Sequence, residues 1–436
     1  MQFKAYPSYK NSGVEWLGDV PEHWQVKPNK YVFKIQKRIA GTLGFNVLSI
    51  TQKGLKIKDI ESNAGQMAQD YSKYQIVNVG DFAMNHMDLL TGWIDIAKVT
   101  GVTSPDYRVF EVRNKKVNKE YFLHLFQLGY RNKILFAFGQ GAAQMGRWRL
   151  QSETFNTLKM PFPSIEEQQK IVSFLDTETT RIDNLIAKQE KLIELLEEQR
   201  KSVISHAVTK GLDPNAPMKD SGVEWLGDVP EHWGFSRIDG ISKIVRGNSA
   251  FAKADLLEVG QYVALQYGKT YKVDEINTSF NSYVNQEFFK DAQVANFQDV
   301  ILISTSETLE DLGHSCFYAR HDLGLIGGEQ FLLKPKAEIL GKYLYYATKA
   351  FSVFLQRYAT GLKVFRFNLD DLKNIYIPNL SLEDQYKIAD FLDTETAKID
   401  TLIEKQKTLI EKLKEYRASI ISHAVTGKID VREFVA

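Results

Sequence analysis

Thirteen residues, Ser12 to Trp24 (SGVEWLGDVPEHW), recur without change at Ser221 to Trp233, an offset of 209. A second match pairs Asp176 to Asp213 with Asp393 to Asp430 at an offset of 217. Matches of that length are not chance, so the chain is a tandem duplication whose halves share their ends. Between the matched blocks the halves diverge and leave only echoes: Gln52/Gly54 against Gln266/Gly268, Asp81 against Asp299, and Arg149 against Arg366. Any fold must therefore be built twice, from shared ends enclosing different middles.

The second block sets the architecture. Ile182, Leu185, Gln189, Leu192, Leu196, Gln199, Val203 and His206 alternate spacings of three and four, and Ile399, Leu402, Gln406, Leu409, Leu413, Tyr416, Ile420 and His423 repeat that register. Such spacing is the a/d seam of a helix that needs a partner. The seam predicted is Ile182, Leu185, Gln189, Leu192 and Leu196 with Ile399, Leu402, Gln406, Leu409 and Leu413. Pro163-Ser164 and Pro378-Asn379 mark the helix starts, before acidic first turns (Glu166-Glu167, Glu383-Asp384) that suit the positive end of a helix dipole. Gly211, Pro214 and Pro217 stop the first helix. The middles, rich in Val, Ile, Phe and Tyr with frequent Gly and Asn, read as short strands and loops.

The expected fold is α+β: two globular domains of small twisted β-sheets with helices, joined by two long helices in an antiparallel coiled coil of pseudo-two-fold symmetry. The boundaries predicted are a first domain at 1–162, a first long helix at 163–210, a linker at 211–220, a second domain at 221–378, a second long helix at 379–427 and a tail at 428–436. Length agrees, since 436 residues exceed one ordinary core.

Composition narrows the function classes. Hydrophobic residues at 44% and charged residues at 25% are the balance of a folded globular chain. No apolar run approaches the roughly 18 residues of a membrane span, and Met1 to Lys10 lacks the pattern of a signal peptide, so a cytoplasmic protein with no membrane partner is expected. Cys316 is the only cysteine, which excludes an intramolecular disulfide and a cysteine-rich zinc site and makes it a core candidate. Net charge is only +1, but residues 166–200 hold 9 acidic and 5 basic side chains and residues 383–417 hold 9 and 7. The rest of the chain carries a surplus of +7, the sign that phosphate contact requires.

Together the twice-used EWLGDVPEHW, the paired exits MPFPSIEEQQKIVSFLD and IPNLSLEDQYKIADFLD, and the long helices after them resemble the specificity subunit of type I restriction-modification systems. So does IVNVGDFAMNHMDLLTGWIDIAKVTGVTSPDYRVF, with its Gly-Asp turn, strand, glycine loop and Ser-Pro-x-Tyr. The resemblance covers essentially the whole chain. The second domain departs from it: Gln298-Asp299 replaces Gly80-Asp81, and no Ser-Pro-x-Tyr follows. The resemblance implies a DNA-binding, non-catalytic subunit for host defence and DNA methylation, in which each domain is a target recognition domain reading one half of a split asymmetric site. The helices would act as spacer and dock two methyltransferase subunits, joined by nuclease-translocase subunits. No cofactor is expected in this chain; S-adenosylmethionine, ATP and magnesium would belong to the partner subunits.

Base readout needs Gln, Asn, Arg, Lys and hydroxyl side chains on loops. The candidates in the first domain are Lys53, Lys56, Lys58, Asn85, His86, Asp88, Gln140, Gln144 and Arg147. In the second they are Gln266, Tyr267, Lys269, Ser304, Thr305, Ser306 and Lys363. Arg149 and Arg366, equivalent in the two halves, read instead as a shared structural pairing. Trp16, Trp24, Trp225 and Trp233 are expected to seat each domain on the helices, and His23 and His232 to be structural. Two rival readings stand beside this one. A scaffold would join partners through the helix pair without reading DNA. An enzyme would need an Asn/Asp-Pro-Pro-aromatic motif, a Walker-type loop or a nuclease carboxylate-lysine cluster, and none is found.

Overall fold

The computed structural model describes residues 4–59, 71–141, 148–248 and 251–434. The chain divides into two compact units, Met1–Lys188 with Leu409–Ala436, and Gln189–Thr408. Each unit therefore holds the start of one long helix and the end of the other.

In the first unit an antiparallel four-stranded sheet runs in the order Phe33–Gln36, Arg108–Val112, Phe82–Met84, Ile94–Ile96. The helix Lys119–Arg131 shares its core, contributing buried Tyr121, Phe122, Leu125 and Phe126. Aromatic packing dominates: Phe82 stacks on Phe110 at 4.9 Å, and Phe33 meets Phe82, Phe110 and Phe122 edge-on. Such pairs add about 0.5–1.5 kcal/mol each beyond the area they bury. The turn into the central strand is built by Asp81, whose carboxylate accepts from the Asn78 amide at 2.8 Å, and by Gly80 at φ 85°.

The second unit repeats this plan with additions. Its five-stranded sheet runs Ser242–Arg246, Gln330–Pro335, Val300–Ile303, Ser315–Tyr318, Glu275–Ile276, and the helix Gly341–Leu355 packs with it. A further four-stranded sheet, including a parallel pair of Tyr262–Leu265 with Gly324–Ile326, has its own small core. The turn into the central strand survives the loss of glycine. Asp299 accepts from the Asn296 amide at 2.8 Å, while Gln298 takes the left-handed φ of 73° that Gly80 takes in the first unit. Cys316 is fully buried in this unit, and burial pushes its thiol up to about 12.

The long helices span Ile165–Lys210 and Leu382–Val425. Ser164 caps the first through the Glu167 amide at 3.2 Å. The second start expected at Pro378-Asn379 is displaced: those residues end the strand Tyr376–Asn379, and Ser381 caps the helix through the Asp384 amide at 3.1 Å. Just inside each helix a fully buried glutamine ties it to the preceding domain. Gln168 accepts from the Asn118 amide at 3.0 Å, and Gln385 accepts from the Leu340 amide at 2.8 Å.

Within each unit the two helix segments run antiparallel. In the second, Ile193 and Leu196 cluster with Ile399 and Ile403, Arg200 meets Asp400 at 3.1 Å, and Ile204, Ala207 and Val208 share a core with Ile388, Ala389 and Leu392. The predicted seam needs a correction. Ile182, Leu196 and Ile399 are buried, and Leu185, Gln189, Gln406 and Leu413 are partly buried, but Leu192, Leu402 and Leu409 stand 39%, 42% and 41% exposed. The stripe that turns inward uses their neighbours Ile193, Ile403 and Ile410. Both rows are apolar and one residue apart, so periodicity alone fits either; the buried row is the one carrying β-branched side chains.

The repeated block docks in the same way in both units. Trp24 packs with Ile421, Ala424 and Val425, and Trp233 with Ile204, Ala207 and Val208, each at the end of a long helix. Gly427 and Gly211 end those helices at φ 74° and 75°. The Lys428 ammonium donates to the Leu17 and Asp19 carbonyls, as Lys210 does to Leu226 and Asp228.

Candidate nucleic-acid interface

A common backbone frame follows the central strand of each unit. In the first, the Leu150 amide donates to the His86 carbonyl at 2.9 Å, and Gln140 and Arg149 exchange a pair of backbone hydrogen bonds. In the second, the Phe367 amide donates to the Ser304 carbonyl at 3.3 Å, and Thr360 and Arg366 exchange the same pair of bonds. His86 and Ser304 thus occupy one position of the fold, as do Arg149 and Arg366.

Around this frame the structure gathers several candidates. In the first unit Lys53 and Lys56 are exposed on the hairpin Leu48–Thr51/Gly54–Ile57, and Lys58, half-buried, follows it. The Gln52 side chain reaches from the hairpin turn to the Thr91 carbonyl at 3.4 Å, so that turn lies beside the loop holding Asn85, His86 and Asp88. Asn85 and Asp88 spend their carboxamide and carboxylate oxygens on the loop itself, accepting amides of Met87 and Asp88 and of Leu90 and Thr91 respectively. Burial raises the Asp88 carboxyl, but the Thr91 and Leu90 hydrogen bonds outweigh it and hold the group below the usual range. Gln140 is exposed opposite Arg149; Gln144 and Arg147 lie outside the described residues.

In the second unit Gln266, Tyr267 and Lys269 form a short turn of helix, Tyr267–Thr270, and the Tyr267 hydroxyl meets Ser306. Ser306 itself is buried and accepts the Thr308 amide. The Thr305 hydroxyl donates to the Glu329 carboxylate, and its backbone pairs with Arg366. Lys363 is exposed on the loop between Thr360 and Arg366. The expected pairing of Arg149 and Arg366 is confined to backbone: neither guanidinium has a hydrogen-bond or ion-pair partner among the described residues, and both side chains are exposed.

Sequence reasoning missed Arg108, which follows the Ser-Pro-x-Tyr. It is 4% exposed, donates from Nη2 to the Leu150 carbonyl at 2.8 Å, and leaves Nη1 without a partner among the described residues. Burial pushes it down to about 10 against the pull of Tyr130. His86 Nδ1 is likewise buried and, among the described residues, unpartnered, and burial together with Arg108 and Arg149 pushes this imidazole down to about 4, so it is neutral at physiological pH. Strand alternation gives no sign that an arginine stands at position 108 to be buried.

His23 is bound to Glu167 at 3.0 Å, and Thr209 and Thr426 hydroxyls donate to the carbonyls of Ser205 and Ser422 in their own helices. Among the described residues no group of three or more His, Cys, Asp or Glu could hold a metal ion, and no helix is long and apolar enough to cross a membrane.

Comparison with known proteins agrees with this duplicated frame. The putative type I restriction enzyme MjaX specificity subunit of Methanocaldococcus jannaschii is 24% identical over 99% of both chains. The type I restriction enzyme MjaVIII specificity subunit of the same organism is 23% identical over 95% of this chain and 94% of its own. Two solved structures share the fold at 16% identity. A chain from a study of complex assembly and conformational transition in the type I R-M system has a TM-score of 0.68 and covers 93% of this chain and 98% of its own. The HsdS subunit from Thermoanaerobacter tengcongensis has a TM-score of 0.53 and covers 94% and 98%. The family described as type I restriction modification DNA specificity domain matches residues 21–197 and again 230–412, and the chain belongs to that family, with two copies in tandem.

Proposed function

We propose that this chain is the DNA sequence-specificity subunit of a type I restriction-modification complex, and that its two units are target recognition domains, each reading one half of a split asymmetric site. The observation that carries this reading is the common frame bearing different side chains. His86 stands where Ser304 stands and Arg108 where Phe331 stands, since Arg108 pairs with Met84 and Phe331 with Leu302, each two residues before that position. A frame held constant while its polar complement changes is what reading two different half-sites requires.

The chain contributes recognition rather than catalysis. The long helices set the spacing of the half-sites and dock two methyltransferase subunits, which nuclease-translocase subunits join. S-adenosylmethionine, ATP and magnesium belong to those partners, and the complex works in the cytoplasm on double-stranded DNA. Leu192 and Leu402, each exposed on a long helix, offer apolar side chains to such partners.

Equilibrium binding of the assembled methyltransferase complex to a panel of duplexes at matched salt tests this directly. One split sequence bound at least a thousand-fold more tightly than the rest supports it. Equal binding to every duplex would leave the scaffold reading in its place.

A further inference from the structure

A recognition domain makes two kinds of contact with DNA, some side chains touching bases and others phosphates. The duplication permits that division, because the two domains are internal comparisons of one frame. DNA presents the same phosphate at every base pair, whereas base edges differ. A residue type retained at an equivalent position of both domains, while their surroundings diverge, suits the phosphate; a residue that changes on an unchanged backbone suits the base.

Arg149 and Arg366 meet the first condition. Each is held by two backbone bonds, to Gln140 at 2.9 and 3.0 Å in the first domain and to Thr360 at 3.0 and 3.0 Å in the second. Each leaves an exposed guanidinium with no hydrogen-bond or ion-pair partner among the described residues. A structural pairing would have engaged that group. His86 and Ser304 meet the second condition, with carbonyls that accept the amide of the residue following each arginine, Leu150 and Phe367.

Cavities lie at this position in both domains. In the first, a cavity of about 220 Å³ is lined by His86, Arg108, Lys37 and Ser152. In the second, one of about 270 Å³ is lined by Ser304, Thr305, Glu329 and Arg366. Their chemistry differs. The first is lined by the Arg108 and Lys37 cations, the neutral His86 imidazole and the Ser152 hydroxyl; the second combines the Glu329 carboxylate with arginine and hydroxyl donors.

We propose that each recognition domain reads DNA with a two-part unit: an arginine, Arg149 or Arg366, that takes a backbone phosphate, and a residue just beyond the strand Phe82–Met84 or Val300–Ile303, His86 or Ser304, that meets a base edge. This rests on the reading of the chain as a sequence-specificity subunit. The arginine fixes register and contributes equally to all sequences; the neighbouring residue discriminates.

The test uses the assembled methyltransferase complex, with dissociation constants measured between low and high salt for the preferred duplex and for duplexes changed at one base pair of either half-site. Arg149→Ala and Arg366→Ala are expected to weaken binding to every duplex by a similar factor and to lower the salt slope by about one, while Arg149→Lys keeps the slope. His86→Ser is expected to lose about ten-fold discrimination or more at one base pair of one half-site, and Ser304→His to do so in the other half only. Arginine variants that relax sequence preference without changing the slope would overturn the phosphate assignment. Position 86 and 304 variants with unaltered discrimination would overturn the base assignment. A wild-type complex with no sequence preference would remove the underlying reading as well, so the two failures are distinguishable. Thermal melts of each variant separate loss of contact from loss of fold.

Discussion

Arg417 grips Asp183 with two hydrogen bonds, Nε to Oδ1 at 2.9 Å and Nη2 to Oδ2 at 3.1 Å. The duplicate of this pair, Arg200 with Asp400, forms in the second unit at 3.1 Å. There the guanidinium also reaches Asp274 at 2.9 Å, and burial working against the two carboxylates still leaves it above its ordinary range. The same contact recurs wherever the end of one long helix meets the start of the other, and it fixes register without apolar area. Asp183 is 54% exposed, so its worth is that of a surface pair, about 0–1 kcal/mol. Asp183→Asn is expected to lower stability by no more than about 1 kcal/mol in denaturant unfolding; a loss of 3 kcal/mol would mean that the pair is far better shielded.

The helix seam makes a sharper prediction. Ile403 is 7% exposed and its neighbour Leu402 is 42% exposed. Ile403→Ala should cost about 2–4 kcal/mol by removing buried methyl groups and leaving a cavity, and Leu402→Ala less than about 1 kcal/mol. Urea midpoints in the opposite order would restore the seam through Leu192, Leu402 and Leu409.

Two glycines with the same backbone should respond differently to alanine. Gly13 and Gly427 have φ of 65° and 74°, but an added Cβ meets nothing at Gly13 and meets the Pro21 ring at 2.4 Å and Trp24 at 3.0 Å at Gly427. Gly13→Ala is expected to cost about 1 kcal/mol, for backbone strain alone. Gly427→Ala should cost at least about 2 kcal/mol, since it also pushes the repeated block off the helix end. Equal melting shifts would contradict that docking.

Buried histidines give the chain an acid sensitivity. Burial, with nearby cations, pushes His86, His124 and His314 down to about 4. An unfolded histidine titrates near 6.5, so between those values the unfolded chain binds more protons than the folded one. Stability is therefore complete above about pH 6.5 and falls as pH drops toward 4, by on the order of 3 kcal/mol for a well-buried histidine and less for half-buried His86. His314, whose ring bonds the Val273 carbonyl at 2.9 Å, is the clearest case. His314→Asn should show a flatter dependence of melting temperature on pH from 6.5 to 4 than the wild type; an unchanged slope would show that this ring titrates normally.

Much of the fold was legible because duplication restates it. The repeated block announced both helix-end docks through Trp24 and Trp233, and the paired exits announced both long helices. The seam was not fully legible, because Leu192-Ile193, Leu402-Ile403 and Leu409-Ile410 offer two apolar rows one residue apart, and packing decides between them. At the candidate interface, hydroxyl, amide and lysine residues were chosen by type and loop position, and the fold gathers several of them around one frame. The equivalence of His86 with Ser304 could not, since it resides in backbone bonds to Leu150 and Phe367 that are distant in sequence. Arg108 was hidden for a related reason: its strand position is read as core, and only the fold reveals a charge placed there with an unfilled donor.

The most direct test of the account is a map of methylated adenines across a host genome expressing this chain with its methyltransferase subunit, repeated after the second domain is exchanged for that of another specificity subunit. The account predicts one split motif with two defined halves, of which the exchange changes one and leaves the other intact. Methylation with no motif, or an exchange that alters both halves together, would contradict the claim that each domain reads its own half-site.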